Sequence, residues 1–268
     1  MFGRSFELKS ADQVERMRSA GLVVAAMLDA VSRAAVPGAT TRELDAVARG
    51  VLVEHGATSN FLDYGADAAG HGGFQGVICT SVNDEVVHGV PGDRVLVDGD
   101  LLSVDAGAIV DGWHGDAAVT VAVGTASTAD QRLSQVTQDA LWAGIAAAQV
   151  GARLGDVSHA IETSIRAAGD YGIVEGFTGH GIGTAMHMPP DVPNTGRAGR
   201  GPVLKEGLVL AIEPMVTLGT SRTHTLDDDW TVVTVDRSRG AHWEHTVAVT
   251  PAGPRVLTAL DEGRSRLS

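Results

Sequence analysis

The sequence predicts an α+β fold, organised as one domain over residues 1–268 with a short N-terminal segment (1–9) and a C-terminal tail (255–268). Three observations lead there. Helix-start signatures are unusually legible. Strand-like apolar runs follow the helices without the steady βαβ alternation that a parallel sheet requires. Features also recur at one fixed offset along the chain: Gly38 with Gly151, Leu44 with Val157, Ala48 with Ile161, Gly56 with Gly169. That repeat implies two related halves, each with a helix pair.

Taken in order, Ser10-Ala-Asp-Gln13 reads as a capping box before the apolar positions Met17, Val24, Met27, Leu28 and Val31. The Ser hydroxyl accepts the N3 amide while the Gln side chain returns to the cap. Thr40 to Glu43 opens a second helix through Leu44, Val47, Val51 and Leu52, and Thr128 to Gln131 a third through Leu133, Val136 and Leu141. A fourth is expected from about Asp156 to Ala168, ending near Gly169. Residues 76–81, 101–110, 117–123, 208–217, 231–234 and 246–250 read as strands, being apolar runs or alternations of period two.

Composition narrows the function. A formal charge of −13 argues against non-specific DNA binding and against an anionic membrane surface. One cysteine, Cys79, excludes an internal disulfide. The first residues carry no apolar leader core, and no window is apolar enough to span a bilayer, so a cytoplasmic location is expected.

Chemistry concentrates in a few side chains. Asp105 and Asp116 flank a hairpin whose turn lies around Val110–Gly112. A loop at 110–111 pairs 105 with 116, and a loop at 111–112 pairs 107 with 116. Either register puts both carboxylates on one face. Alone, such a pair could equally be two surface aspartates. Its apolar setting (Leu101, Leu102, Val104, Ile109, Val119, Val121) favours a bound cation. Glu213 interrupts the apolar run 208–216, where a carboxylate needs a metal or a Lys or Arg partner. Glu244 sits in a similar stretch, His180 in a glycine-rich loop (Gly179-His-Gly-Ile-Gly183) whose glycines free the backbone to bend around a ligand, and His88 and His187 lie beside Gly and Pro turns. Four carboxylates and one imidazole suit two divalent cations better than one structural zinc.

The segments CTSVNDEVVHGVP, VDAGAIVDGWHGDAAVT, GHGIGTAMH, AIEPMV and EHTVAVT resemble, in order and spacing, the signature stretches of type I methionine aminopeptidases. The match runs from about Ser10 to Thr250. It implies the pita-bread fold, an antiparallel sheet backed by two pseudo-twofold-related helix pairs. The implied activity is removal of the initiator methionine from nascent proteins when the second residue is small. A metal-bridging hydroxide would attack the first peptide bond. By resemblance Asp105 chelates one metal, Asp116 and Glu244 bridge, and His180 and Glu213 hold the other. The implied cofactors are two divalent ions, from Co, Mn, Fe or Zn. His88 and His187 are implied to contact substrate and stabilise the tetrahedral intermediate, and Glu213 to shuttle the proton. Phe74, Cys79 and Trp230 are implied to form the methionine pocket. The partners expected are nascent polypeptide N-termini and the ribosome, with the chain acting as a monomer.

The chain departs from the family pattern in places. The segment around His71 lacks tyrosines, Met188-Pro189 stands where two glutamates are usual, and Asp229 replaces a glycine before Trp230. Phe2 is too large for the second-residue pocket expected of such an enzyme, so Met1 is expected to be retained. The alternatives are an X-Pro aminopeptidase or prolidase, which carries an extra N-terminal domain, and a non-catalytic relative that has lost ligands. The type II subclass does not fit, because the stretch from His187 to Glu213 is too short to hold the large insertion expected there.

Overall fold

The chain's structure, a computed structural model, describes residues 6–267; Met1 and Phe2, with the retention expected of them, lie outside the described residues. The first half runs α1 (Ala11–Ala34), α2 (Thr41–Glu54), β1 (Thr58–Ser59), β2 (Ile78–Val82), β3 (Glu85–Val87), β4 (Leu101–Val110) and β5 (Trp113–Ala122). The second opens with α3 (Thr128–Ala147), α4 (Leu154–Ala168), β6 (Gly172–Ile173), β7 (Gly179–Gly181), β8 (Met188–Val192) and β9 (Val209–Ile212). It closes with β10 (Met215–Thr217), β11 (Thr223–Thr225), β12 (Val232–Thr234), β13 (Gly240–His242), β14 (His245–Thr250), β15 (Gly253–Val256) and the short α5 (Arg264–Leu267). No described helix is long and apolar enough to cross a membrane.

The capping boxes at Ser10 and Thr40 form as read, each with both reciprocal hydrogen bonds. The third helix is capped one residue earlier than expected. Ser127 Oγ accepts from the Asp130 amide, and Asp130, not Gln131, completes the turn while also pairing with Arg239 at 2.7 Å. The Gln131 side-chain amide donates instead to the Ala126 carbonyl. The fourth helix starts at Leu154, because Asp156 already satisfies the Arg153 amide at 2.7 Å without a capping side chain.

The repeat is physical. The buried positions of α2 are Thr41, Leu44, Asp45, Ala48 and Leu52, and those of α4 are Leu154, Val157, Ser158, Ile161 and Ile165, each displaced by the offset of the sequence repeat. Each helix pair covers its own apolar core. α1 and α2 pack on β2, β4 and β5, and α3 and α4 pack on the strands of the second half.

Every strand pairing is antiparallel. β4 carries β1 and β2 along one edge and β5 along the other, while the second half builds the order β15-β14-β9-β7-β8. Asp111 and Gly112 both have positive φ (49° and 78°), as a two-residue hairpin turn of the primed type demands. That selects the second register, with Gly107 opposite Asp116. The run 208–217 is not one strand. Pro214 offers no N–H and the chain breaks at Glu213-Pro214, so β9 joins β14 while β10 joins β13. The halves are joined along β5, where Ala118 and Glu244 exchange backbone hydrogen bonds and Thr246 Oγ1 donates to the Asp116 carbonyl at 2.7 Å.

Candidate metal centre

Three strands and one seam deliver the five residues. On the first-half sheet, Cys79 pairs with Asp105 and Asp105 with Ala118, so these share a face with Asp116 two residues back along β5. Glu213 and Glu244 face each other where two pairings part, just beyond Ile212↔His245 and before Met215↔His242. His180 lies on β7 opposite Ala211, not in a loop. Its flanking glycines serve close strand approach rather than freedom to bend: a Cβ on Gly179 would stand 2.3 Å from the Ala211 carbonyl oxygen, and one on Gly181 2.3 Å from that of Pro189.

Ligand atoms of Asp116, His180 and Glu244 lie within 4.8 Å of one another, all buried. His180 Nε2 stands 3.4 Å from Glu213 Oε1. The Nδ1 of His180 is 3.0 Å from the Gly181 carbonyl, which fixes the proton there and leaves the Nε2 lone pair facing the carboxylates. Asp105 Oδ1, Asp116 Oδ1 and Glu244 Oε1 are buried with no hydrogen-bond partner among the described residues. Among the described residues, none lining the cleft is Lys or Arg, so the ion-pair reading of Glu213 fails. Burial raises the Asp105 carboxyl to about 7. Burial, then repulsion among the carboxylates, pushes Asp116, Glu213 and Glu244 well above their usual range. Burial, then the neighbouring His187, lowers His180 to about 4, so its imidazole is neutral and free to ligate. Orphaned oxygens, a neutral imidazole and uncompensated negative charge fit divalent cations.

The two other histidines reach the same cleft. His88 follows β3 with φ 59°, a left-handed conformation that a non-glycine residue adopts at a cost. Its ring meets Phe177 edge-on at 5.6 Å, and burial lowers its pKa to about 4. His187 stacks edge-on against His180 at 4.3 Å.

Beside the carboxylates, Phe61, Phe74, Cys79 and Met186 form a buried apolar cluster, with Trp230 packed on it. Phe74 meets Trp230 edge-on at 5.4 Å, and burial raises the Cys79 thiol. The structure thus brings Phe74, Cys79 and Trp230 together. Sequence reading missed Phe61, Tyr64, Phe177, Met186 and His242, which also line the cleft. Met186 precedes His187 directly, a signal that was available; His242 lies two residues from Glu244 but carries no pattern of its own. The departures are benign for the ligands. His71 is exposed at a loop tip, Met188 pairs with Gly181, and Asp229 takes φ 62°, the conformation a glycine would favour.

The sequence pattern of metallopeptidase family M24 matches residues 15–251. The chain belongs to this family. It is 56% identical over 256 residues to methionine aminopeptidase 1 of Mycobacterium tuberculosis, covering 93% of this chain and 94% of that protein. It is 46% identical to methionine aminopeptidase of Clostridium acetobutylicum, covering 95% of this chain and 99% of that protein. The crystal structure of methionine aminopeptidase from Thermotoga maritima superposes with a TM-score of 0.90 at 39% identity, covering 95% of this chain and 99% of that one. Prolidase from Pyrococcus furiosus shares the fold alone: TM-score 0.74, 22% identity, 94% of this chain but 65% of the prolidase. The α+β pita-bread architecture expected from the sequence is therefore the one observed.

Proposed function

We propose that this protein is a type I methionine aminopeptidase, removing the initiator methionine from new polypeptides whose second residue is small. One observation carries the reading: a buried carboxylate cluster opens directly onto an apolar pocket walled by Phe61, Phe74, Cys79, Met186 and Trp230. Soft, polarisable and aromatic groups of this kind match a thioether side chain.

Asp105, Asp116, His180, Glu213 and Glu244 would hold two divalent cations. Such ions, from Co, Mn, Fe or Zn, supply a Lewis acid and water made nucleophilic near neutral pH. The chain's own groups do the rest. The pocket orients the methionine side chain and excludes water from it. His88 and His187, both shifted toward the neutral form by burial, offer N–H groups to the peptide amide and to the developing oxyanion. Glu213 takes the proton from water and returns it to the departing amine. The working form is read as a cytoplasmic monomer that meets N-termini at the ribosome, which co-sedimentation with ribosomes checks.

The deciding experiment measures metal content and hydrolysis together. Protein carrying two equivalents should release methionine from Met-Ala-Ser, lose that activity to a chelator, and leave an X-Pro peptide intact. Cleavage of the X-Pro peptide instead would assign a prolidase-like enzyme. Unchanged turnover in Glu213→Ala would overturn the mechanism, and one equivalent of metal would overturn the dinuclear assignment.

A further inference from the structure

We propose that Tyr64 is a positioning residue that fixes the ring and tautomer of His187. This rests on the aminopeptidase reading for its catalytic consequence, though not for its geometry. The Tyr64 hydroxyl lies 2.7 Å from His187 Nδ1, and the two rings meet edge-on at 5.4 Å. On its other side His187 packs against His180 at 4.3 Å, so the imidazole is clamped between the phenol and a metal-ligand candidate.

The backbone around Tyr64 is built to aim it. The Tyr64 amide donates to the Phe61 carbonyl at 2.9 Å, the Phe74 amide to the Tyr64 carbonyl at 3.0 Å, and the Asp63 amide to the Phe74 carbonyl at 2.8 Å. Asp63 and Gly65, on either side, both take positive φ (62° and 76°). A Cβ on Gly65 would stand 3.0 Å from the Trp230 ring, and one on Gly73 2.8 Å from the Asp63 Cα. The segment is thus pinned at its base, while residues 66–72 project beyond it.

His187 is the only protein partner of the Tyr64 hydroxyl among the described residues. With the phenol donating to Nδ1, the ring proton resides on Nε2, which becomes an N–H donor. Without the phenol, the two neutral tautomers exchange, and only one of them can donate from Nε2 to an oxyanion.

The test uses the full chain loaded with zinc, at fixed pH. Tyr64→Phe keeps the aromatic wall and removes only the hydroxyl. Its kcat on Met-Ala-Ser should fall about tenfold, the scale of one lost hydrogen bond, with KM within about twofold. Tyr64→Leu, which also removes the wall, should raise KM as well. Nitrogen-15 spectra of the histidine rings, with His187 assigned through His187→Asn, should show the Nε2–H tautomer in the wild type and a mixture in Tyr64→Phe. Wild-type kcat in Tyr64→Phe, or a Nδ1–H tautomer in the parent protein, would overturn the assignment. Should the parent protein cleave no methionyl peptide, the function reading fails, and the ring spectra alone then decide the role of Tyr64.

Discussion

Removing the metal should make the protein sensitive to alkali in a way that the loaded protein is not. Asp105, Asp116, Glu213 and Glu244 share a buried site without Lys or Arg, and their carboxyl pKa values are raised by that burial. A carboxyl with a raised native pKa keeps its proton folded and loses it unfolded. Its stabilising contribution is complete below the unfolded value and disappears as pH climbs through the native one. Buried histidines have the opposite sign. His88 and His180, lowered to about 4, favour the native state as pH rises, but only until unfolded histidine is neutral near 6.5. Above about pH 7 the carboxyls alone remain. Each one still protonated in the native state costs about 1.4 kcal/mol per pH unit, or about 2 kcal/mol between pH 7 and 8.5. At roughly 2–4 °C per kcal/mol for a domain near this size, a carboxyl that stays protonated across that window lowers Tm by about 4–8 °C. Bound cations replace those protons, so the loaded protein should show little change. Calorimetry with chelator and with added metal, at several pH values, measures both curves. A metal-free Tm that holds or rises across this window, or two parallel curves, would refute the reasoning.

Three further outcomes follow from packing and ligation. Gly21→Ala should cost about 3 kcal/mol in denaturant unfolding, because its Cβ would stand 2.2 Å from the Leu257 backbone oxygen; an unchanged midpoint contradicts this. Ile161→Ala empties a fully buried site in the second-half core and should cost about 2–5 kcal/mol, while activity per folded molecule persists. On the proposed dinuclear reading, Asp105→Asn should lower bound metal from two equivalents to one, read by elemental analysis of dialysed protein.

Much of this was legible in the chain because local chemistry and tertiary structure agree. The boxes at Ser10 and Thr40 specify their helices by side chain-to-backbone bonds that need no distant partner. The hairpin of β4 and β5 was readable because Asp111-Gly112 can adopt the required positive φ, though only the folded chain chose the register. What escaped depends on partners remote in sequence. Ser127 rather than Thr128 caps α3, at a turn where Asp130 also pairs with the distant Arg239. The glycines beside His180 suggested a loop, whereas they permit strands to pass closely. Tyr64 and Met186 join Cys79 only through the fold, and no periodicity announces such a meeting.

The exchange of hydrogen bonds between Ala118 and Glu244 has a consequence for biosynthesis. Glu244 lies close to the C-terminal end of the chain, yet it stands beside Asp116 from the first half. A polypeptide that stops before that point lacks one of the buried carboxylates and cannot assemble the cluster. Cation capture therefore reports that the segment carrying Glu244 has been made and that the two halves have closed on each other.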